Sequence, residues 1–429
     1  MSGLARYLKI MNFEVGGSDQ KNGKTISILK SSGVKVFIGH NAKNVSGYDA
    51  VVYTSAIKED NPELKRAKEL GLKIYKRSEL LGEIVSRYKN SIAVCGSHGK
   101  TTTTALIYKA LESCGISPSA FIGGNIESVN NFAHGNSDYA VIEACEYKKN
   151  FLDIAPKISV VLNIDDDHVD TFSSSEDRYN TFSAFTKNTI CFYNKDDNLQ
   201  GKLCAKRLIS FGIESNAEYS AKDICKNKNG YSFTFTYNGK RLERVNLTLI
   251  GKHNIYNALS ALAVSHYYNL NLKIVKSALE NFSGVERRNE YLGRAEGLEF
   301  YADYAHHPSE ISAYLSANGM EKEKTIVVFE PHTYSRTKAL MDKFVNALSV
   351  AENLIVYKTY PAREKFDYQG SAYLLYKNVK KANKNVYYAR DKNKLLSVIN
   401  AIKKGKKNVL IIGAGSLYDK MKKYYKFNG

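Results

Sequence analysis

The chain has 429 residues, 43% of them hydrophobic, and a formal net charge of +19. That length exceeds one ordinary core and predicts two or three globular domains rather than a disordered or fibrous chain. No apolar run is long enough to span a bilayer, no charged-then-apolar leader opens the chain, and the six cysteines are scattered without a Cys-x-x-Cys pair, so a reduced cytoplasmic protein without a zinc knuckle is expected.

The start of the chain reads as short strands. Phe13-Glu14-Val15 leads into Gly16-Gly17-Ser18-Asp19, Val34-Lys35-Val36-Phe37-Ile38 ends at Gly39-His40, and Tyr48-Asp49-Ala50-Val51-Val52-Tyr53 ends at Thr54-Ser55. Helical stretches separate these β-branched runs, which predicts a small parallel sheet over residues 1–88.

Residues 95–104 follow, reading Cys-Gly-Ser-His-Gly-Lys-Thr-Thr-Thr-Thr. The strand-like Ser91-Ile92-Ala93-Val94-Cys95 enters a turn at Gly96, and an apolar, helix-compatible segment begins at Ala105. Strand, glycine turn, Lys-Thr and helix make the layout of a phosphate-binding loop, in which backbone N–H groups and a helix N-terminus cradle phosphates. Gly96, Ser97, His98, Gly99, Lys100, Thr101 and Thr102 would form the cradle, with Lys100 on the terminal phosphates and Thr101 on Mg²⁺. Val94 stands where the strict pattern has glycine, and a lone Gly-Lys-Thr also starts ordinary helices.

Tyr139-Ala140-Val141-Ile142 ends at Glu143, and Ile158-Ser159-Val160-Val161-Leu162 ends at Asn163. In an open α/β sheet, ligands sit at the carboxyl ends of strands. The loop Asn163-Ile164-Asp165-Asp166-Asp167-His168 adds three carboxylates and a histidine. It suits Mg²⁺ as hard oxygen ligands, or water as a solvated turn. Tyr231, Phe233, Phe235 and Tyr237 then alternate with small polar residues up to Asn238-Gly239, which predicts an antiparallel hairpin flap. After His253 and Asn254, Ile255, Ala258, Leu259, Leu262 and Ala263 line one face of a helix.

A boundary is expected near Gly284, beyond which an α/β pattern restarts with strands over residues 325–329, 354–357 and 409–412. Three segments there carry polar chemistry. Asp303-Tyr304-Ala305-His306-His307-Pro308 invites a zinc reading, but adjacent side chains rarely converge on one metal, so a substrate-facing loop is favoured. In Pro331-His332-Thr333-Tyr334-Ser335-Arg336-Thr337 a strand-end arginine suits a carboxylate, or an ordinary helix-start ion pair. Arg287-Arg288 lies just past the boundary. Gly413-Ala414-Gly415 lacks the third glycine of a dinucleotide fingerprint and reads as a tight turn. The basic tail, residues 420–426, reads as a frayed helix end. The lysines are spread along the chain with no DNA-binding motif, so the charge is read as diffuse, attracting polyanionic small molecules rather than nucleic acid.

Together these motifs resemble the ATP-dependent Mur ligases of peptidoglycan synthesis. The stretches that carry the resemblance are residues 96–103, Phe121-Ile-Gly-Gly-Asn125, Glu143-Ala-Cys-Glu-Tyr147, 163–168, Gly251-Lys-His-Asn-Ile-Tyr-Asn257, Gly284-Val-Glu-Arg-Arg288, 303–308, 331–337 and Tyr360-Pro-Ala-Arg-Glu364. Singly weak, they are specific in this order and spacing, and the last three point to the alanine-adding branch. The resemblance implies an α/β protein with a UDP-binding domain over residues 1–88, a central phosphate-loop ATPase over 89–284 and a C-terminal α/β domain over 285–429.

It also implies a reaction and roles. ATP would phosphorylate the lactyl carboxylate of UDP-N-acetylmuramate, and L-alanine would attack the acyl phosphate. Lys100 would stabilise the transferring phosphoryl group, and Thr101, Glu143 and His168 would hold Mg²⁺. His253, Asn254 and Asn257 would lie near the adenine, with Arg288 and Asp303 reaching the nucleotide from the C-terminal side. Asn125 would face the sugar substrate, and Tyr304, His306 and Arg336 would bind L-alanine. The implied protein is a cytoplasmic monomer or weak dimer with small-molecule partners and no nucleic-acid or membrane partner. A recycling ligase that attaches a peptide shares most motifs, and an ATP-binding module without turnover is the other alternative.

Two departures stand out. The family's opening strand and glycine-rich loop have no counterpart before Met1-Ser2-Gly3-Leu4-Ala5-Arg6, so Met1 is expected to be an internal methionine of a longer chain, with its first sheet incomplete. Thr333 stands where many relatives carry arginine, which leaves more of the amino-acid grip to Arg336.

Overall fold

The computed structural model describes residues 1–165, 171–197, 199, 201–227, 230–362, 364–425 and 427. The chain falls into two compact units. One holds Met1–Lys226, Ser232–Leu247 and His253–Phe282, and the other holds Ser283–Gly429 with the short segments Asn227–Tyr231 and Thr248–Lys252.

The first unit opens with four short strands, β1 (Gly16–Asp19), β2 (Lys35–Ile38), β3 (Ala50–Tyr53) and β4 (Lys73–Lys76). One small sheet was expected. Instead β1 pairs only with β2 and β3 only with β4, both in parallel, and no strand among the described residues joins the pairs. The first strand is Gly16–Asp19 itself, not the apolar residues before it.

A ten-stranded sheet fills the rest of the unit. Its strands are β5 (Asn90–Cys95), β6 (Ser119–Ile126), β7 (Asn130–Ala133), β8 (Tyr139–Glu143), β9 (Ile158–Val161), β10 (Ile190–Asn194), β11 (Arg207–Gly212), β12 (Tyr219–Asn227), β13 (Gly230–Tyr237) and β14 (Lys240–Leu247). The order is β14-β13-β12-β11-β10-β9-β5-β8-β6-β7, parallel from β6 through β12. Central parallel strands are covered on both faces, so they read as continuous apolar runs. All four residues of β9 are buried, and five of the six in β5. On one face Phe151 stacks on Phe185 at 4.7 Å and meets Phe182 edge-on at 5.0 Å.

The hairpin of β13 and β14 turns at Asn238 and Gly239, both with positive φ, as the sequence requires. It extends the main sheet rather than projecting as a flap. The polar face of β13 is buried because arginines cover it: Arg244 donates to Ser232 Oγ at 2.7 Å and to the Asp223 carbonyl at 2.7 Å. Its apolar face stacks Phe235 on Tyr219, nearly coplanar at 5.8 Å. The helix His253–Tyr267 is buried almost all round, not on one face, because it packs against the helices Lys100–Ser113 and Leu272–Glu280 and against β10 and β11.

The second unit carries β15 (Glu290–Ala295), β16 (Leu298–Asp303), β17 (Thr325–Phe329), β18 (Asn353–Tyr357), β19 (Val386–Ala389) and β20 (Asn408–Ile412), in the order β15-β16-β20-β17-β18-β19. All pairs are parallel except β15 with β16. The basic tail is not frayed through Tyr425: it is the helix Leu417–Tyr425, anchored by Met421, which is wholly buried, and by Tyr425 against Phe300 at 4.5 Å.

Candidate active site

At the carboxyl end of β5 the chain turns through Gly96 and Gly99 into the helix Lys100–Ser113. Both glycines have positive φ, 133° and 83°, and both are crowded. A Cβ at Gly96 would meet the Asn163 carbonyl at 2.9 Å, and one at Gly99 would meet Asn257 Oδ1 at 2.5 Å. Only glycine gives this loop its path.

Asn163 holds the loop from the neighbouring strand end. Its Oδ1 accepts the His98 N–H at 2.7 Å, its Nδ2 donates to the His98 carbonyl at 3.1 Å, and its own carbonyl accepts the Ser97 N–H at 3.1 Å. His98 Nε2 lies 3.1 Å from Asp165, and Ser97 Oγ accepts the Asp165 N–H at 2.9 Å. Asp197 accepts the Ile164 N–H at 2.7 Å, and burial pushes its carboxyl up to about 6. On the other side Asn257 Oδ1 accepts from Thr103 at 3.1 Å, and its Nδ2 donates to Asn254. Asn254 and Asn257 are buried behind the loop, whereas His253 is exposed at the helix start.

The Lys100 ammonium bonds to the carbonyls of Gly96 and Ser97 and, at 2.9 Å, to Glu146. Burial would lower the lysine, but the Glu146 carboxylate outweighs it and raises it, so Lys100 stays charged. Glu143, at the end of β8, accepts the Gly123 N–H at 2.7 Å, and Asn125 is half-buried near the end of β6. Thr101 is buried in the first turn of the helix and Thr102 half-buried beside it. The loop therefore gathers Gly96 to Thr102 with Asn163, Asn254 and Asn257 around one strand end. His168, with Asp166 and Asp167, lies outside the described residues. No group of three or more His, Cys, Asp or Glu gathers to hold a metal among the described residues. The hydroxyl of Thr101 and the carboxylate of Glu143 are hard oxygen donors of the kind Mg²⁺ takes alongside waters and phosphates.

In the second unit the carboxyl ends of β16, β17 and β20 converge. Asp303 accepts the N–H groups of Asn289 and Ala305, both at 2.8 Å, so its two oxygens shape this loop. Burial raises its carboxyl against the pull of Arg288. Arg287, at φ 61°, donates to the carbonyls of Gly413 (2.6 Å) and Gly415 (3.0 Å), while Arg288 lies over the Tyr304 ring at 5.3 Å. The tight turn at residues 413–415 thus anchors Arg287, and just past it the Leu417 N–H donates to buried Glu330 at 2.9 Å.

Tyr304, His306, His332 and Arg336 form one cluster. The rings of Tyr304 and His306 are 5.4 Å apart, those of His306 and His332 5.8 Å, and Arg336 Nη1 lies 3.5 Å from His332 Nδ1. Tyr360 stacks on His332 at 5.5 Å. Burial, with Arg336 and Arg288 nearby, lowers His306 despite Glu310, and burial with His306 and Arg336 lowers His332 to about 4, so both rings are neutral near pH 7. Burial would raise Glu310, but His306 and the N–H groups of His306 and His307 hold it at about 2. Among the described residues no carboxylate pairs with Arg336. His307 instead caps the helix Pro308–Ala317 through Ser309.

Glu146, Asn163 and Glu310 received no role from the sequence. The available signals were that Glu146 and Asn163 fall at or just after strand ends, and that Glu310 falls in the first turn of a helix led by His-Pro.

A glycine loop with a charged lysine at a parallel strand end, and a second α/β unit with an arginine–histidine cluster, are the kind of features found in α/β enzymes that act on anionic substrates. Comparison with known proteins narrows the class. The model described as "Mur ligase family, catalytic domain" matches residues 1–89, that of the Mur ligase middle domain residues 94–265, and that of the Mur ligase glutamate ligase domain residues 287–415. The UDP-N-acetylmuramate–L-alanine ligase of Caldicellulosiruptor saccharolyticus is 40% identical, over 97% of this chain and 94% of that protein. That of Caldanaerobacter subterraneus is 39% identical, over 100% and 95%. The crystal structure of the UDP-N-acetylmuramate-alanine ligase from Thermotoga maritima superposes with a TM-score of 0.84 at 27% identity, over 99% of this chain and 96% of that one. A murein peptide ligase from Psychrobacter arcticus, at 22% identity and TM-score 0.72 over 97% and 94%, shares the fold. The chain belongs to the Mur ligase family.

Proposed function

We propose that this chain is an ATP-dependent ligase that joins L-alanine to UDP-N-acetylmuramate, with functional domains over residues 1–88, 89–284 and 285–429. What carries the reading is the presence, on one chain, of a phosphate loop presenting charged Lys100 and a strand-end cluster presenting Arg336. A carboxylate is a poor acyl donor, so a phosphoryl group is first moved from ATP to the lactyl carboxylate. The amine of L-alanine then attacks the acyl carbon, phosphate leaves, and an amide remains.

The loop N–H groups and Lys100 offset charge on the phosphates as it shifts. Thr101, Glu143 and His168 would hold Mg²⁺, which supplies further neutralisation when bound. By the family resemblance, Arg288 would serve the nucleotide and Asn125 the sugar substrate. Arg336 takes the L-alanine carboxylate in bidentate fashion, beside Tyr304. His306, kept neutral, accepts a proton from the L-alanine ammonium and leaves a nucleophilic amine. No helix among the described residues is long and apolar enough to cross a membrane, and all six cysteines are free thiols, which supports a place in the cytoplasm.

The test is acceptor choice. L-alanine should support ATP-dependent product formation with UDP-N-acetylmuramate. If a tripeptide served and L-alanine did not, the chain would be a recycling ligase instead.

A further inference from the structure

The loop holds a charged group that the reaction above does not use. Glu146 is buried, its side chain 2% exposed, and its Oε1 lies 2.9 Å from Lys100 Nζ. An ammonium has three donors, and the Gly96 carbonyl, the Ser97 carbonyl and Glu146 are three acceptors around it. Two are neutral and belong to the loop. The third is charged and comes from beyond the end of β8, so it fixes where the ammonium stands relative to the loop.

The backbone that delivers Glu146 is unusual. Lys148 and Lys149 have consecutive left-handed conformations, φ 52° ψ 26° and φ 58° ψ 22°. Non-glycine residues visit that region rarely, and two in succession persist only where surroundings over-determine them. Here the Lys149 N–H bonds to the Glu146 carbonyl at 2.8 Å, Lys148 N–H to Thr171 Oγ1 at 3.2 Å, and Lys149 Nζ to Asp177 at 2.7 Å. The turn clamps the residue just where it can meet Lys100.

We propose that Glu146 is a positioning residue: it stays paired with Lys100 when nucleotide binds, the two loop carbonyls release the ammonium, and Lys100 then bridges Glu146 and the terminal phosphate. This rests on the nucleotide reading of the loop given above. The opposing role is a mere counter-ion that phosphate must displace, in which case removing the charge would tighten nucleotide binding.

Calorimetric titration of the full chain with ADP and with a non-hydrolysable ATP analogue separates the two. The wild type should prefer the triphosphate by about tenfold or more. Glu146→Gln and Lys100→Met should each lose most of that preference while ADP affinity, which reports an intact loop, stays within about threefold. The double variant should be no worse than Lys100→Met alone, because Glu146 acts through Lys100. In turnover, Glu146→Gln should raise KM for ATP by about tenfold, in step with the lost triphosphate affinity, with little change in KM for L-alanine. Should Glu146→Gln fail to fold, Glu146→Asp, which keeps the charge but shortens its reach, carries the same comparison with a partial loss. A preserved or increased triphosphate preference in the Glu146 variant, or additive losses in the double variant, would overturn the proposal. So would a wild type with no triphosphate preference. If the wild type binds as expected but does not turn over, the ligase reading fails and the binding cycle still decides the role of Glu146.

Discussion

Asn163 grips the peptide of His98 at both ends, accepting its N–H at 2.7 Å and donating to its carbonyl at 3.1 Å. One carboxamide from the end of β9 thereby sets the curvature of the loop that leads to Lys100. Asn163→Ala should leave both His98 groups without their partner, at a cost of about 1–3 kcal/mol. Nucleotide affinity should fall with it, because the loop N–H groups lose their common aim. Asn163→Asp can still accept but no longer donate, so its affinity, measured by the same titration, should lie between the two.

Lys100→Ala should abolish turnover. It should also lower stability by about 3 kcal/mol or more, because it leaves the buried Glu146 carboxylate without its cation. Lys100→Ala/Glu146→Ala should regain much of that stability and none of the activity. Denaturant unfolding monitored alongside phosphate release checks both halves, and equal stability of the two variants would contradict the account.

Arg336→Lys keeps the charge but loses the planar fork that matches a carboxylate. KM for L-alanine should rise by about tenfold or more, with a smaller change in KM for ATP. Equal effects on both constants would place Arg336 outside the amino-acid site.

Acid should weaken the protein in two consecutive windows. His332 is lowered to about 4 by burial, His306 and Arg336, so the unfolded chain takes up that proton first. Its contribution is complete above its ordinary value of 6.5 and is lost as pH falls from there through 4. Glu310 is held at about 2 against an ordinary 4.5, so its contribution is complete above 4.5 and is lost as pH falls through 2. In each window the slope should approach about 1.4 kcal/mol per pH unit per proton. Unfolding curves across pH should show His332→Gln flattening the first window and Glu310→Gln the second.

Much of this molecule was legible in its residues, for definable reasons. The strand–Gly96–Lys100–helix layout has a local signature, since glycine turns and a helix start are short-range features. The hairpin at Asn238-Gly239 was equally local. What the hairpin does was not: whether β13 projects or joins the sheet depends on Arg244, reaching from the next strand to cover its polar face. The one-sided reading of the helix at 253–267 failed because burial on every side is decided by neighbours distant in sequence. The pairing of Lys100 with Glu146 spans 46 residues and rests on a backbone conformation at Lys148 and Lys149 that no residue type there signals. At the start of the chain, the β-branched runs named strands but not their partners, and two separate pairs formed instead of one sheet.

The most direct test of the central claim is phosphate release from ATP with UDP-N-acetylmuramate and L-alanine each supplied and each withheld. The account predicts release only when both are present, and its loss in Lys100→Ala. Release independent of either substrate, or none with both, would contradict it.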